Sequence, residues 1–140
     1  MSPISKGIKM STLNWNEVLG WNESTLEDLR FVGYSYLKQG KFDIATSLYE
    51  ALVLLDPKSS YDLQTLGGLY LETGKNLMAL NTIELALKLD PTHDATLLNR
   101  TKALFALGFK RQAIAQAKAL ELTSNRDIAN QAAALLLAYT

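Results

Sequence analysis

Residues 33–57 read GYSYLKQGKFDIATSLYEALVLLDP, and residues 67–91 read GGLYLETGKNLMALNTIELALKLDP. The two stretches start 34 residues apart and share a first Gly, a Tyr three residues later, a second Gly, an Ala and a final Asp-Pro, each at the same place. Gly108 and Ala113 continue this spacing in a third unit. A fixed period of this length predicts a repeated pair of helices.

The glycines and alanines of the period have physical explanations. A Gly inside a helix costs about 1 kcal/mol relative to Ala, so Gly33 and Gly67 predict a second helix passing too close for a side chain. Gly is favoured where a helix ends in a left-handed conformation, so the first helix of each pair is predicted to end at Gly40, Gly74 and Gly108. Three small residues are predicted to give the second helix a thin face against the first: Ala45, Ala79 and Ala113.

The period predicts an all-α fold of three helix pairs in a right-handed superhelix, closed by a C-terminal capping helix. The predicted domain runs from about 25 to 140, with repeats at about 25–57, 58–91 and 92–125 and a capping helix at about 127–138. The predicted helices of the pairs are about 25–39, 42–55, 59–73, 76–89, 93–107 and 110–122. Ser24 and Glu27 predict a capping box at the first of them, and Asp127 is the predicted cap of the last.

The period resembles that of the tetratricopeptide repeat (TPR), whose members usually bind another polypeptide and do no chemistry. Within it, residues 26–57 resemble the first repeat of type III secretion chaperones of the LcrH/SycD class. The motifs that carry this resemblance are LxxL at 26–29, VGY at 32–34, GKF at 40–42 and YEALVLLDP at 49–57. Those chaperones are small bacterial cytosolic proteins that hold hydrophobic translocator proteins before export.

A second branch of the same secretion system is also similar. The short chain and the sequence NRDIAN at 125–130 resemble needle-subunit chaperones such as YscG and PscG, which clasp the needle protein together with a small co-chaperone. The resemblance therefore implies a bacterial cytoplasmic protein whose client is a translocator or a needle subunit, with a co-chaperone or a second copy as a further partner. The alternative is a general TPR scaffold that bridges two folded proteins.

The first helix of each pair is predicted to line a concave, peptide-binding groove. Helical spacing around the core positions predicts that ten side chains face it: Arg30, Tyr34, Leu37, Lys38, Tyr61, Gln64, Leu71, Leu98, Lys102 and Phe105. Five further positions share that face: Glu27, Gly68, Glu72, Ala95 and Ala106. The groove is thus mainly apolar with basic rims, which suits a segment with spaced apolar anchors.

One familiar TPR function is not predicted. TPR proteins that bind the C-terminal carboxylate of heat-shock chaperones use a clamp of Lys, Asn and Arg on these inner positions. The matching positions here are Arg30, Tyr34, Gly68, Ala95 and Asn99, and of these only Arg30 would serve.

Composition argues against several other functions. With 14 basic and 14 acidic residues the formal net charge is zero, so nothing predicts binding to nucleic acid. Cys is absent and His93 is the single His, read as a solvated turn residue; no catalytic, metal or cofactor site is therefore predicted. The late uncharged stretch 128–140 is too short to cross a bilayer, so membrane insertion is not predicted.

The N-terminal segment, residues 1–24, is predicted to be disordered over residues 1–11 and to form a short helix over 12–20 capped by Thr12. It carries five large apolar side chains within nine residues, which is unusual for a disordered tail: Leu13, Trp15, Val18, Leu19 and Trp21. Two interpretations are open. The segment either folds back on the first repeat as a cap, or packs against a second copy or a co-chaperone.

Overall fold

In the computed structural model, residues 22–140 are described and form seven helices without a strand. The helices are α1 (Glu23–Lys38), α2 (Phe42–Leu55), α3 (Ser60–Glu72), α4 (Asn76–Leu89), α5 (Asp94–Ala106), α6 (Lys110–Leu120) and α7 (Arg126–Tyr139). Each helix packs against the next, and α5 also packs against α3 and α7. The predicted all-α stack of three helix pairs with a closing helix is confirmed, and α2 and α4 coincide with the predicted ranges.

The turn inside each pair has the predicted backbone. Gly40, Gly74 and Gly108 have φ values of 75°, 77° and 86°, in the left-handed region that only Gly adopts cheaply. The residue after each glycine donates its backbone N–H to a carbonyl in the preceding helix, as Lys75 does to Tyr70 at 2.8 Å. The turn thereby reverses the chain and returns the second helix along the first.

Two helix-interior glycines mark the closest approach within a pair. A Cβ atom at Gly67 would lie 2.7 Å from Cγ1 of Ile83, and one at Gly33 would lie 2.9 Å from Cε2 of Tyr49. Real Cβ atoms do not come so close to a neighbour, and a packed core resists the shift that would be needed. The predicted reason for both glycines is therefore confirmed.

The core runs along the contact between first and second helices. The alanines of the period are fully buried at Ala45, Ala79 and Ala113. Larger side chains fill the spaces between them, and these are also buried: Leu26, Tyr49, Leu52, Leu69, Ile83 and Leu104. The buried residues of the first two pairs form one cluster, and those of the third pair form two further clusters that α7 helps to cover.

Two buried tyrosines keep their hydroxyls satisfied. Tyr70 donates its O–H to a carboxylate oxygen of Glu50 at 2.5 Å, and the hydroxyls of Tyr49 and Tyr61 lie 3.3 Å apart. Burial, with the hydrogen bond as a second cause, raises the pKa of both Tyr49 and Tyr70 above the ordinary value. Both side chains are therefore neutral and link α2 to α3 by hydrogen bonds.

Two helix caps and several helix ends differ from the prediction. Asn22, not Ser24, caps α1, because its Oδ1 accepts the backbone N–H of Thr25 at 3.0 Å. Asn125, not Asp127, caps α7 by accepting the N–H of Ile128 at 3.2 Å. Asn is among the strongest N-capping residues, which explains both corrections. Helix α6 ends at Leu120, two residues before the predicted end. The short helix predicted at 12–20 and the disorder predicted at 1–11 lie outside the described residues.

Candidate functional site

The first helices of the three pairs share one face, and a pocket of about 790 Å³ opens on it. Half of its lining residues come from α3, and α1, α2, α4 and α5 supply the remainder. The lining residues are Leu37, Phe42, Gln64, Thr65, Gly68, Leu69, Leu71, Glu72, Asn76, Asn99, Lys102 and Ala106. The wall therefore combines aliphatic and aromatic surface with three side-chain amides and one charge of each sign.

Four of the ten predicted groove residues line this pocket: Leu37, Gln64, Leu71 and Lys102. Three positions predicted to share their face, Gly68, Glu72 and Ala106, line it as well. On α3 the spacing argument therefore predicts most of the wall. The predicted groove positions did not include Phe42, Thr65, Leu69 and Asn76, and Asn99 was considered only as a position matching the carboxylate clamp. Thr65 and Asn99 stand 34 residues apart, so the period itself could have identified that stripe.

Tyr34, Lys38 and Tyr61 lie outside the pocket wall but remain open to solvent. Tyr34 is 46% exposed, and Nζ of Lys38 lies 5.6 Å from the centre of its ring, within the range of a cation–π contact. Tyr61 is 45% exposed, and its ring meets that of Tyr49 edge-on at a centroid distance of 6.3 Å. Each ring is thus fixed by one neighbouring side chain and leaves about half of its surface exposed, Tyr34 on α1 and Tyr61 on α3.

Arg30 does not face the open groove, which corrects the prediction. Its side chain is only 13% exposed and donates from Nε and Nη2 to the carboxylate of Asp62 at 2.9–3.1 Å. Nη2 also donates to Asp56 at 2.7 Å. The hydrogen bond to Asp62 is the main cause that raises the pKa of Arg30, against the opposing effect of burial. Since Asp62 is fully buried, the ion pair joins α1 to α3 inside the stack.

Leu98 and Phe105 are also covered rather than open. Leu98 packs in a buried cluster with Leu120, Ile128 and Ala132. Phe105 stacks on Tyr139, with ring centroids 4.3 Å apart and an angle of 11° between the planes. Helix α7 supplies Ile128, Ala132 and Tyr139. The capping helix therefore covers Leu98 and Phe105, and the prediction that these two side chains face the open groove is wrong.

No catalytic arrangement is apparent in the part of the chain that the structure describes. Among residues 22–140 there is no group of three or more His, Cys, Asp or Glu side chains that could hold a metal ion. His93 is half-buried and caps α5, with Nδ1 accepting the backbone N–H of Thr96 at 3.3 Å, rather than standing free in a turn. No helix within this range combines the length and hydrophobicity that a membrane crossing requires.

Comparison with known families identifies the repeat. A family model described as a tetratricopeptide repeat matches residues 63–93, which run from α3 through α4. The helix pairs form a tetratricopeptide-repeat fold. Comparison with curated protein sequences gives no significant match for this chain.

Solved structures with the same fold include secretion chaperones. The translocator chaperone SycD of Yersinia enterocolitica has a TM-score of 0.74 at 20% identity, covering 88% of this chain and 96% of SycD. PcrH of Pseudomonas aeruginosa, solved with the chaperone-binding region of PopD, has a TM-score of 0.70 at 25% identity, covering 86% of this chain and 94% of PcrH. The first TPR of Spaghetti (RPAP3), bound to an HSP90 peptide, has a TM-score of 0.72 at 25% identity, with coverages of 84% and 94%. The predicted resemblance to the LcrH/SycD class is therefore confirmed at the level of the fold.

Proposed function

We propose that this TPR protein is a type III secretion chaperone that binds an export substrate along the face shared by α1, α3 and α5 and keeps it soluble. The observation that carries the proposal is the 790 Å³ pocket on that face of a fold shared with SycD and PcrH. PcrH was solved with the chaperone-binding region of PopD, which supports a polypeptide as the occupant.

The surface around the pocket suits a polypeptide. The half-exposed rings of Tyr34 and Tyr61 offer the large aromatic area that dominates the energetics of many interfaces. Lys38 and Lys102 add positive charge, and neither forms an ion pair among the residues that the structure describes. A segment with spaced apolar side chains and some acidic residues would therefore bind better than a uniformly polar one.

The client class follows from the same proposal. Hydrophobic translocators and needle subunits expose large apolar surface before export, and such surface aggregates in water unless it is covered. A chaperone for either client would act in the bacterial cytoplasm, by binding alone and without catalysis. A co-chaperone or a second copy of this chain is the further partner that the resemblance implies.

Recovery of the bound client tests the function directly. We expect the tagged protein, purified from its native cell, to retain one predominant polypeptide from the secretion apparatus. Produced alone, that polypeptide should be mostly insoluble, and co-production with this protein should return it to the soluble fraction. A partner that is equally soluble in both cases would contradict the chaperone proposal.

Matched variants show whether the client uses the proposed face. Replacing Tyr34 and Tyr61 together with Ala should weaken client binding by about 2 kcal/mol or more, since both rings are exposed and neither fills the core. Phe105 is left intact, because it is buried beneath Tyr139. Leu137→Ala is the control, as this side chain is exposed on α7 away from the pocket. If the unchanged protein, the double variant and the control bind the client with equal affinity, the client binds to a surface other than the proposed face.

A general TPR scaffold is the second candidate, favoured by the likeness to the Spaghetti TPR bound to an HSP90 peptide. Against a carboxylate clamp of that kind, Arg30 is engaged by Asp62 and Asp56 and has little surface left for a ligand. The solubility experiment separates the two candidates, since the partner of a scaffold is soluble alone.

A further inference from the structure

Gly68 has no structural reason to be a glycine. It lies in the interior of α3, outside the left-handed region, where Gly destabilises a helix relative to Ala. A Cβ atom at Gly68 would meet a single atom within 4 Å, Nδ2 of Asn99, at an ordinary contact distance of 3.5 Å. The neighbouring Gly67 is different, because Ile83 leaves no room there for a side chain. The helix would therefore gain stability from Ala at 68 and lose it at 67.

The space that Gly68 leaves open belongs to the pocket. Gly68 lines the wall together with Leu71 on α3 and Lys102 on α5. The equivalent positions of the other repeats, 34 residues away on either side, are Tyr34 and Lys102. A side chain as large as either at position 68 would project into the cavity, so the absence of one there sets the depth of the pocket.

Two amides flank the same space. Gln64 and Asn99 are half-buried in the pocket wall, and neither side chain has a hydrogen-bond partner within residues 22–140. An amide offers two donors and an acceptor, which match the carbonyl and N–H groups of a peptide backbone. A polypeptide occupant would therefore meet matching polar groups here as well as apolar surface.

We propose that Gly68 leaves room for one large aliphatic or aromatic side chain of a bound polypeptide, whose backbone bonds to the amides of Gln64 and Asn99. This deepens the proposed function and rests on it for the nature of the client. Position 68 is then a specificity-determining position: its size decides how large a side chain the pocket accepts.

Blocked amino acids test the pocket without a client. The probes are N-acetyl-leucine N-methylamide and N-acetyl-phenylalanine N-methylamide, with the glycine analogue as the polar reference, titrated into the isotope-labelled full chain and followed by NMR. The leucine and phenylalanine probes should shift the backbone signal of Gly68 and the side-chain amide signals of Gln64 and Asn99, and the glycine analogue should not. Equal shifts with all three probes would overturn the proposal.

Variants at position 68 supply the decisive comparison. Gly68→Leu should weaken binding of the leucine probe about tenfold or more, because burial of the probe's own side chain is lost. Gly68→Ala should raise the melting temperature and still weaken the phenylalanine probe, whereas Gly67→Ala should lower the melting temperature. Ala115→Leu is the matched control, since it adds a leucine side chain at an exposed position of α6 outside the pocket. Unchanged probe binding in both Gly68 variants would overturn the proposal.

Failure of the proposed function gives a different result. If no secretion client is recovered but the apolar probes bind at Gly68, the pocket inference stands and the chaperone assignment falls. If a client is recovered and binds Gly68→Leu as tightly as the unchanged protein, the client uses another surface and the pocket inference falls.

Discussion

Replacing Asp62 with Ala should lower the free energy of unfolding by about 3–5 kcal/mol, the usual result of removing one partner of a buried ion pair. Asp62 is fully buried, and its carboxylate accepts hydrogen bonds from both Nε and Nη2 of Arg30. Without it the guanidinium, only 13% exposed, would keep Asp56 at 2.7 Å and the exposed carboxylate of Glu27 at 3.4 Å. The loss comes from a buried charge that has lost its buried partner as well as from the missing attraction.

The Arg100–Glu84 ion pair is the matched control. It has a similar distance of 2.7 Å, but Glu84 is 48% exposed and solvent screens the interaction. Glu84→Ala should therefore change stability by about 0–1 kcal/mol. Urea unfolding followed by circular dichroism measures both variants on the same scale. Similar losses in the two variants would show that burial of Asp62 does not govern the strength of its pair.

The Arg30–Asp62 ion pair also shows what could not be predicted from the sequence alone. The 34-residue period predicts the helix pairs, because turns and contacts within a pair depend on residues close together in the chain. Gly74 ends α3 in a left-handed conformation, and Gly67 leaves room for α4 to pack closely on α3. Arg30 and Asp62 are 32 residues apart, and no local pattern links them. Only the stacking of the second helix pair on the first brings the two charges together, which is why helical spacing alone places Arg30 in the open groove.

The groove was predicted in outline and missed in part for geometric reasons. One residue corresponds to a rotation of about 100° around a helix, so an error of one position changes which side chain faces the groove. Leu98 was predicted to face it, but Leu98 lies in the core and the next residue, Asn99, lines the pocket. Phe105 was misplaced for another reason, since only the position of α7 shows that Tyr139 covers it. The sequence thus indicates which helices line the groove, whereas packing between repeats decides which side chains remain open.

The outward face of α1 carries the other large exposed surface. Val32 and Ser35 are exposed or half-exposed, whereas their equivalents one repeat later, Leu66 and Leu69, are buried by the preceding helix pair. Phe31, beside them, is 71% exposed. Among residues 22–140 no helix pair packs on this face of α1, although the equivalent face of α3 is covered by the first pair. An apolar surface of this kind favours association.

Deleting residues 1–21 should change the oligomeric state of the protein and not only its stability. The deleted segment carries five large apolar residues close to this face in sequence: Leu13, Trp15, Val18, Leu19 and Trp21. They lie outside the described residues, and the interpretation that they pack against a second copy or a co-chaperone remains a proposal. The deletion stops at 21 because Asn22 caps α1.

Sedimentation of the full and shortened chains at matched concentrations measures the change. Phe31→Glu in the full chain should shift the association in the same way, since it places a charge on the exposed face of α1, whereas Phe109→Glu, at an exposed turn before α6, should not. If full and shortened chains sediment as the same species and only the melting temperature falls, the segment caps its own first repeat. In that case the exposed face of α1 is covered within one chain, and the partner proposed for this end of the stack is not needed.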